Sequence, residues 1–326
     1  MSVDYDIVIV GGSLAGRDAA LKAVQLRAKV ALVEPLFRHD LIQLQGIGEV
    51  GKIVGIKDLT RFLVDNSGNR IEKFQIALEK TLLWNSAVAA NISEQLSPAF
   101  LAAQGVDVIV GSGWFQAEPD LSFVVNNRKL LARNFLLATG SVPVIPNFEG
   151  LQKTGFLTLS DIYEVLGSSE PPKSWVILGG TPQSVEIAQS LARLGYEVTF
   201  IVSSPYVVSP IDPEIARLLQ AQLEVEGIRV LTQSTVTQIR QIEGKKWLQV
   251  RDIAVETDEI LVAVAEQPFI ESLNLAAVGV KYNSRGLSVN KKLQTTNHRI
   301  YACGDVIGGY NLPNIANSEA IIAIKN

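Results

Sequence analysis

The chain of 326 residues has a single cysteine, Cys303, and only two histidines, His39 and His298. One thiol forms no internal disulfide, so a disulfide-stapled fold is excluded and a reducing, cytoplasmic setting is the simplest expectation. Two histidines lying far apart in sequence among poor ligands leave metal chemistry without a donor set. Net charge is small as well. The 29 basic and 33 acidic residues leave a net charge of −4, and no basic cluster offers a footprint for nucleic acid or an anionic membrane. No apolar run is long enough for a membrane span, and the acidic start MSVDYDIVIV lacks the basic flank of a signal peptide. What is plentiful is apolar sequence. At 47% hydrophobic and 19% charged residues, disorder is excluded, and the length allows two domains with separate cores.

Two stretches carry the same device. Residues 7–20 read IVIVGGSLAGRDAA and residues 176–186 read VILGGTPQSVE. Each is an apolar strand, a glycine-rich turn and a helix-forming run. Such a turn lets backbone approach a pyrophosphate, and the following helix N-terminus offers unpaired N–H groups with partial positive charge. Two copies predict two dinucleotides meeting each other, the arrangement that passes a hydride from a nicotinamide to a flavin. The fold class is therefore α/β, with two Rossmann-like βαβ dinucleotide-binding domains and antiparallel β-meander insertions. The first domain is expected over 1–155 plus 288–326, and the second over 156–287.

The first βαβ unit comprises strand 7–10, helix 16–25 and strand 30–34. A helical pattern runs from Asp58 to Ala103, followed by a strand at 106–110. Strands 123–125 and 129–131 form a hairpin across Asn126-Asn127, and 135–138 leads into Thr139-Gly140. Pro143, Pro146 and Gly150 mark a connector. The second unit has strand 175–178, helix 185–194 and strand 197–202. Antiparallel strands 235–242 and 246–251 turn at Gly244, then come strands 260–264 and 299–306.

Gly11, Ser13 and Gly16 occupy the three glycine places of the first fingerprint, with Gly12 and Ala15 between them. Serine at the second place is small enough for the phosphate to approach. Glu34 ends the second strand roughly twenty residues past the turn, where a carboxylate accepts hydrogen bonds from ribose hydroxyls. A tight βα turn without a ligand is the alternative. The second fingerprint is poorer: Gly179 and Gly180 are present, but Thr181 and Ser184 replace the other glycines. Its second strand ends in Val202 and Ser203 with no acid. That tolerates a phosphorylated ribose without supplying an arginine to pair with it, so NADPH is weakly preferred, with NADH or a degenerate site open.

The ordered set GGSLAG, LLATGSVPVIP, GGTPQSVEIA, LARLGYEVT and YACGDV resembles the pyridine nucleotide–disulfide oxidoreductases, the family of mercuric reductase and dihydrolipoamide dehydrogenase. The resemblance runs from Asp6 to Glu319. It implies FAD in the first domain, with Thr139, Gly140 and Ser141 along the cofactor and Asp305, after Gly304, bonding its ribityl chain near the start of the last helix. It further implies cofactor contacts at Pro35 and Gly113, and nucleotide contacts at Ser203, Val236 and Ala265. The family's thiol pair falls near Gln43 and Gly48, neither of them cysteine, so no dithiol relay exists. The same count puts Lys52 beside the flavin, with Glu186 as its partner in a buried ion pair that tunes the cofactor. A solvated lysine and an ordinary helix glutamate are the alternative. Cys303, in an apolar strand, reads as buried filler.

The expected activity is that of a FAD-dependent NAD(P)H oxidoreductase delivering electrons to a small non-thiol acceptor such as a quinone, a metal complex or dioxygen. The sequence ends at NSEAIIAIKN before the family's third domain, so a monomer or a non-family oligomer is expected. Two rivals remain: a FAD-binding protein with a dead nicotinamide site, and a subunit completed by another chain.

Overall fold

The structure, a computed structural model, describes residues 3–34, 94, 96–166, 168–209, 211–309 and 312–326. Most of the helical pattern expected from Asp58 lies outside these residues, and its last turn is the short helix Pro98–Ala103. The chain forms two compact units. It leaves the first between Val142 and Pro143 and returns between Glu266 and Gln267.

These crossings come earlier than the expected boundaries at 155 and 287, and the cores explain why. Leu151 is fully buried among Val176, Leu178, Val236 and Leu248, with Ile145 and Phe148 packed on the same cluster. Leu273, Leu275, Val278, Val280 and Leu287 belong instead to the core of the first unit, with Phe115 and Phe123.

In the first unit, β1 (Tyr5–Val10), α1 (Leu14–Gln25), β2 (Val30–Glu34) and β3 (Asp107–Val110) precede β4 (Gly113–Gln116), β5 (Ser122–Val125) and β6 (Arg128–Leu137). The sheet order is β3-β2-β1-β6-β5-β4. Strands β1 and β2 pair in parallel from Ile7 opposite Val30 to Val10 opposite Val33. Their unbroken apolar runs suit strands covered on both faces. The sequence pattern divides β6 into two strands, because Arg133 and Asn134 interrupt the apolar run. The structure has one ten-residue strand. Its first half pairs antiparallel with β5, and its second half pairs parallel with β1 and with strand Ile300–Ala302. The hairpin turn falls where the asparagines predict it, with Asn126 and Asn127 both left-handed at φ 48° and 59°, as a type I′ turn requires.

The second unit has a parallel sheet in the order Arg229–Leu231, Glu197–Val202, Ser174–Gly179, Glu259–Val262. Beside it in sequence lies a three-stranded antiparallel sheet, Val236–Ile242, Lys245–Val250 and Ile253–Thr257. Its third strand was not legible, since a tight turn with Arg251 at φ 51° carries no glycine signal. Asp258 ties the two sheets. Its carboxylate accepts from the amides of Lys173 at 2.9 Å and Ser174 at 3.0 Å, and from Lys245 Nζ.

Burial acts to raise the pKa of Asp258, but the Lys245 ammonium and the two amides outweigh it and hold the carboxyl down to about 2. A depressed folded pKa means stabilisation that is present above the unfolded value of about 4 and lost as pH falls through about 2. Asp258→Asn should therefore lower Tm at pH 7 and narrow the fall in Tm between pH 4 and pH 2. Melts across that range with an unaltered acid limb would count against it.

Candidate functional site

The first glycine turn is built by close contact. Gly11 has φ 118°, and a Cβ there would lie 2.2 Å from the Ala138 carbonyl oxygen and 2.7 Å from the Thr139 amide nitrogen. A Cβ on Gly16 would meet the Gly11 carbonyl oxygen at 2.1 Å. Glycine at these two places lets α1 and β6 close on the turn. Ser13 proves to be more than a small residue. It is the N-cap of α1: its Oγ accepts from the Gly16 amide at 3.2 Å and donates to the Ala138 carbonyl at 2.8 Å. The helix accordingly starts at Leu14, two residues before the sequence expectation. Among the described residues, no acceptor receives the amides of Gly12, Ser13, Leu14 or Ala15.

Glu34 ends β2 buried, and its partner is one the sequence did not single out. Arg17 donates through Nη2 to Glu34 Oε2 at 2.8 Å, through Nε to the Gly12 carbonyl at 3.0 Å and through Nη1 to the Leu96 carbonyl at 2.7 Å. A cation in the first turn of a helix opposes the helix dipole, and that was the available signal that Arg17 needs an anion. The guanidinium fork fixes the carboxylate and the turn together.

Just past β6, Thr139 is buried and its Oγ1 has no hydrogen-bond partner among the described residues. A buried hydroxyl without a partner costs about 1–3 kcal/mol, and here it stands beside a glycine cradle with open amides. These residues fit a bound dinucleotide such as FAD. Gly140, left-handed at φ 69°, follows directly. Ser141 Oγ lies 3.4 Å from Asp305 Oδ2.

Asp305 precedes the last helix. It sits in a short 3-10 turn, Gly304–Ile307, and the helix begins only at Pro313. Glu319 on that helix, also missed, accepts from the Gly304 amide at 2.8 Å. Burial raises its carboxyl pKa, while the Gly304 amide opposes the rise. Asn317 on the same helix has a buried Oδ1 with no partner among the described residues. Cys303 is 1% exposed, and burial, with the Glu319 charge behind it, pushes its thiol pKa up. Buried filler is what the structure shows, since a thiolate is disfavoured there.

Several assignments meet a different environment. Gly113 has a packing reason for its glycine, since a Cβ would lie 2.3 Å from the Val124 carbonyl oxygen and 2.5 Å from the Phe123 ring. Val236 is buried in a hydrophobic core, whereas Ser203 and Ala265 are exposed. Glu186 is exposed on its helix, and its expected partner is not among the described residues. Lys52 and Pro35 lie outside the described residues, as do Gln43 and Gly48.

The second turn has the expected strand and helix, Ser174–Gly179 and Pro182–Arg193, with Thr181 as N-cap. The side chain of Ser184 lies fully buried inside the turn. Its Oγ accepts from the amides of Gly180 and Thr181, both at 2.9 Å, and donates to the Thr181 carbonyl at 2.7 Å.

The family model described as pyridine nucleotide-disulphide oxidoreductase matches residues 5–320. The chain belongs to this family. It is 29% identical over 336 residues to a mercuric reductase of Staphylococcus aureus, covering 99% of this chain and 59% of that one. To a dihydrolipoyl dehydrogenase of Acholeplasma laidlawii it is 31% identical over 341 residues, covering 100% of this chain and 97% of the relative. The chain spans only 52% to 60% of the mercuric reductases it matches.

Among solved structures, the Cu(II) complex of the HOCl-induced flavoprotein disulfide reductase RclA from Escherichia coli superposes with TM-score 0.77 at 22% identity, over 97% of this chain and 69% of that one. The likeness shows the fold: a two-domain, Rossmann-like α/β architecture. The 326 residues hold one cysteine, so no cysteine pair can form among them. Among its described residues no helix is long and apolar enough to cross a membrane, and no cluster of His, Cys, Asp and Glu could hold a metal ion.

Proposed function

We propose that this protein is a FAD-dependent oxidoreductase that draws reducing equivalents from NADPH or NADH and delivers them to a non-thiol acceptor. The first unit would hold FAD and the second the nicotinamide nucleotide. The observation that carries the reading is the buried Thr139 Oγ1, unpartnered among the described residues, on a segment that packs against the Gly11 turn with its open amides of Gly12 to Ala15. Those amides suit a pyrophosphate at the N-terminus of α1. Arg17 would hold Glu34 so that Oε1 accepts from ribose hydroxyls, and Thr139 Oγ1 would find its missing partner on the cofactor. Ser141 and Asp305 would orient the polar chain near the 3-10 turn. Bound FAD supplies the chemistry of taking two electrons from a reduced nicotinamide and releasing them to an acceptor. Lys52 and Glu186 remain assigned to tuning that chemistry on the family resemblance alone.

The non-thiol acceptor is supported by the lone thiol, which is buried and disfavoured as a thiolate. NADPH is preferred over NADH because strand Glu197–Val202 ends without a carboxylate. A second reading, a FAD protein whose nicotinamide site is degenerate, is favoured by the Ser184 hydroxyl inside the second turn.

Anaerobic titration of the FAD-loaded protein with each nucleotide separates the two. Bleaching of the visible flavin band by NADPH or NADH supports the oxidoreductase. A coloured protein that neither nucleotide bleaches supports the second reading, and a protein that takes up no FAD overturns both. With nucleotide in hand, turnover should appear with a quinone, a ferric chelate or dioxygen. Sustained turnover with a small disulfide would sink the non-thiol acceptor.

A further inference from the structure

The two glycine turns of this chain differ in one side chain that changes what each can donate. In the first, Gly16 stands at the place where the helix presses on the turn, and nothing from it reaches the amides of Gly12 and Ser13. In the second, Ser184 stands at that place. Its hydroxyl takes the amides of Gly180 and Thr181 at 2.9 Å each and returns its proton to the Thr181 carbonyl. The Ser184 amide is also spent, donating to Thr181 Oγ1 at 3.1 Å, and Pro182 has no N–H to offer. A dinucleotide pyrophosphate is bound through such backbone donors.

We propose that Ser184 is the residue that sets the nucleotide affinity of the second unit, by withholding the Gly180 and Thr181 amides from a diphosphate. The inference rests on the reading that this unit binds NAD(P), and it deepens it: the site is weak by construction, and one hydroxyl makes it so. The Thr181 carbonyl keeps a second donor, the Val185 amide at 3.1 Å, so loss of the hydroxyl strands no buried acceptor. Thr181 Oγ1 keeps its bond to the Ser184 amide and donates to the Ala263 carbonyl at 3.3 Å, so the helix cap survives. Gly180 and Thr181 are only half-buried, so the backbone that carries their released amides is within reach of a ligand or water. A diphosphate rewards them more than a neutral acceptor does, because hydrogen bonds to charged groups are the stronger kind.

The test is Ser184→Ala, with Ser184→Gly as a second variant, in the FAD-loaded full chain. Binding of NAD+ and NADP+ is followed by calorimetry beside adenosine, which lacks phosphate. Both dinucleotides should bind about tenfold tighter to the variants, or about 1.4 kcal/mol, while adenosine and FAD occupancy stay unchanged. Folded variants that bind both dinucleotides no tighter than wild type overturn the proposal, as does an equal gain for adenosine. A wild type that binds neither dinucleotide, beside variants that do, upholds the role of Ser184 and removes NAD(P)H from the proposed function. A wild type readily bleached by NADPH, with variants no tighter, does the reverse.

Discussion

Arg17→Met is expected to destabilise the first unit by about 3–5 kcal/mol, the range for stranding one member of a buried ion pair. The side chains of Arg17 and Glu34 are 14% and 8% exposed, so solvent does little to screen their interaction. Removing the guanidinium leaves the Glu34 carboxylate uncompensated and takes a donor from the carbonyls of Gly12 and Leu96. Both ends of the glycine turn lose a fixed point, so FAD affinity should fall at least tenfold along with stability. Arg17→Met combined with Glu34→Gln should recover part of the stability, because the stranded charge is gone. Urea unfolding of the apoprotein and FAD titration of each variant provide the check. A single variant within about 1 kcal/mol of wild type, with unchanged FAD affinity, would show that the clamp does not matter.

Gly11→Ala should leave the protein colourless. Its φ of 118° disfavours any side chain, and the new Cβ would fall 2.2 Å from a backbone oxygen and 2.7 Å from the Thr139 nitrogen, neither of which can swing aside. The strain alone is of order 1–3 kcal/mol. Relieving the clash moves the Ala138–Thr139 peptide, the same segment that presents the orphan hydroxyl. Gly105→Ala is the matched control, since its φ is 96° and nothing lies within 4 Å of the added Cβ. It carries the conformational cost without the clash. Thermal melts and the flavin absorbance of purified protein should show a larger loss for Gly11→Ala in both. Equal losses would mean that the turn is only a turn.

How much of this was legible depends on the range of the interaction. The strand–turn–helix units, the asparagine hairpin and the parallel apolar strands rest on neighbours in sequence, and they stand where the residues predict them. The unity of β6 was not legible, because Arg133 and Asn134 break a local pattern that pairing with β1 and β5 overrides. The domain crossings were misplaced because Leu151 and Leu273 each join a core formed by distant strands. Of the candidate site, spacing singles out Gly11, Gly16 and Glu34 and the family resemblance adds Thr139, whereas neither points to Arg17 or Glu319, whose partners lie on other elements. By spacing alone Ser184 only replaces a fingerprint glycine. That it spends two amides depends on the rotamer it adopts inside the turn.

Two strand–turn–helix units and the lone cysteine follow from the amino-acid order alone, because short-range periodicity, glycine spacing and composition encode them, and the ordered motifs carry the likeness to the family. That the first turn keeps its donors open while the second spends them on a serine hydroxyl is visible only in the folded chain. The two turns differ through hydrogen bonds and sub-van-der-Waals tolerances, and these exist only once helix and strand have closed on each other.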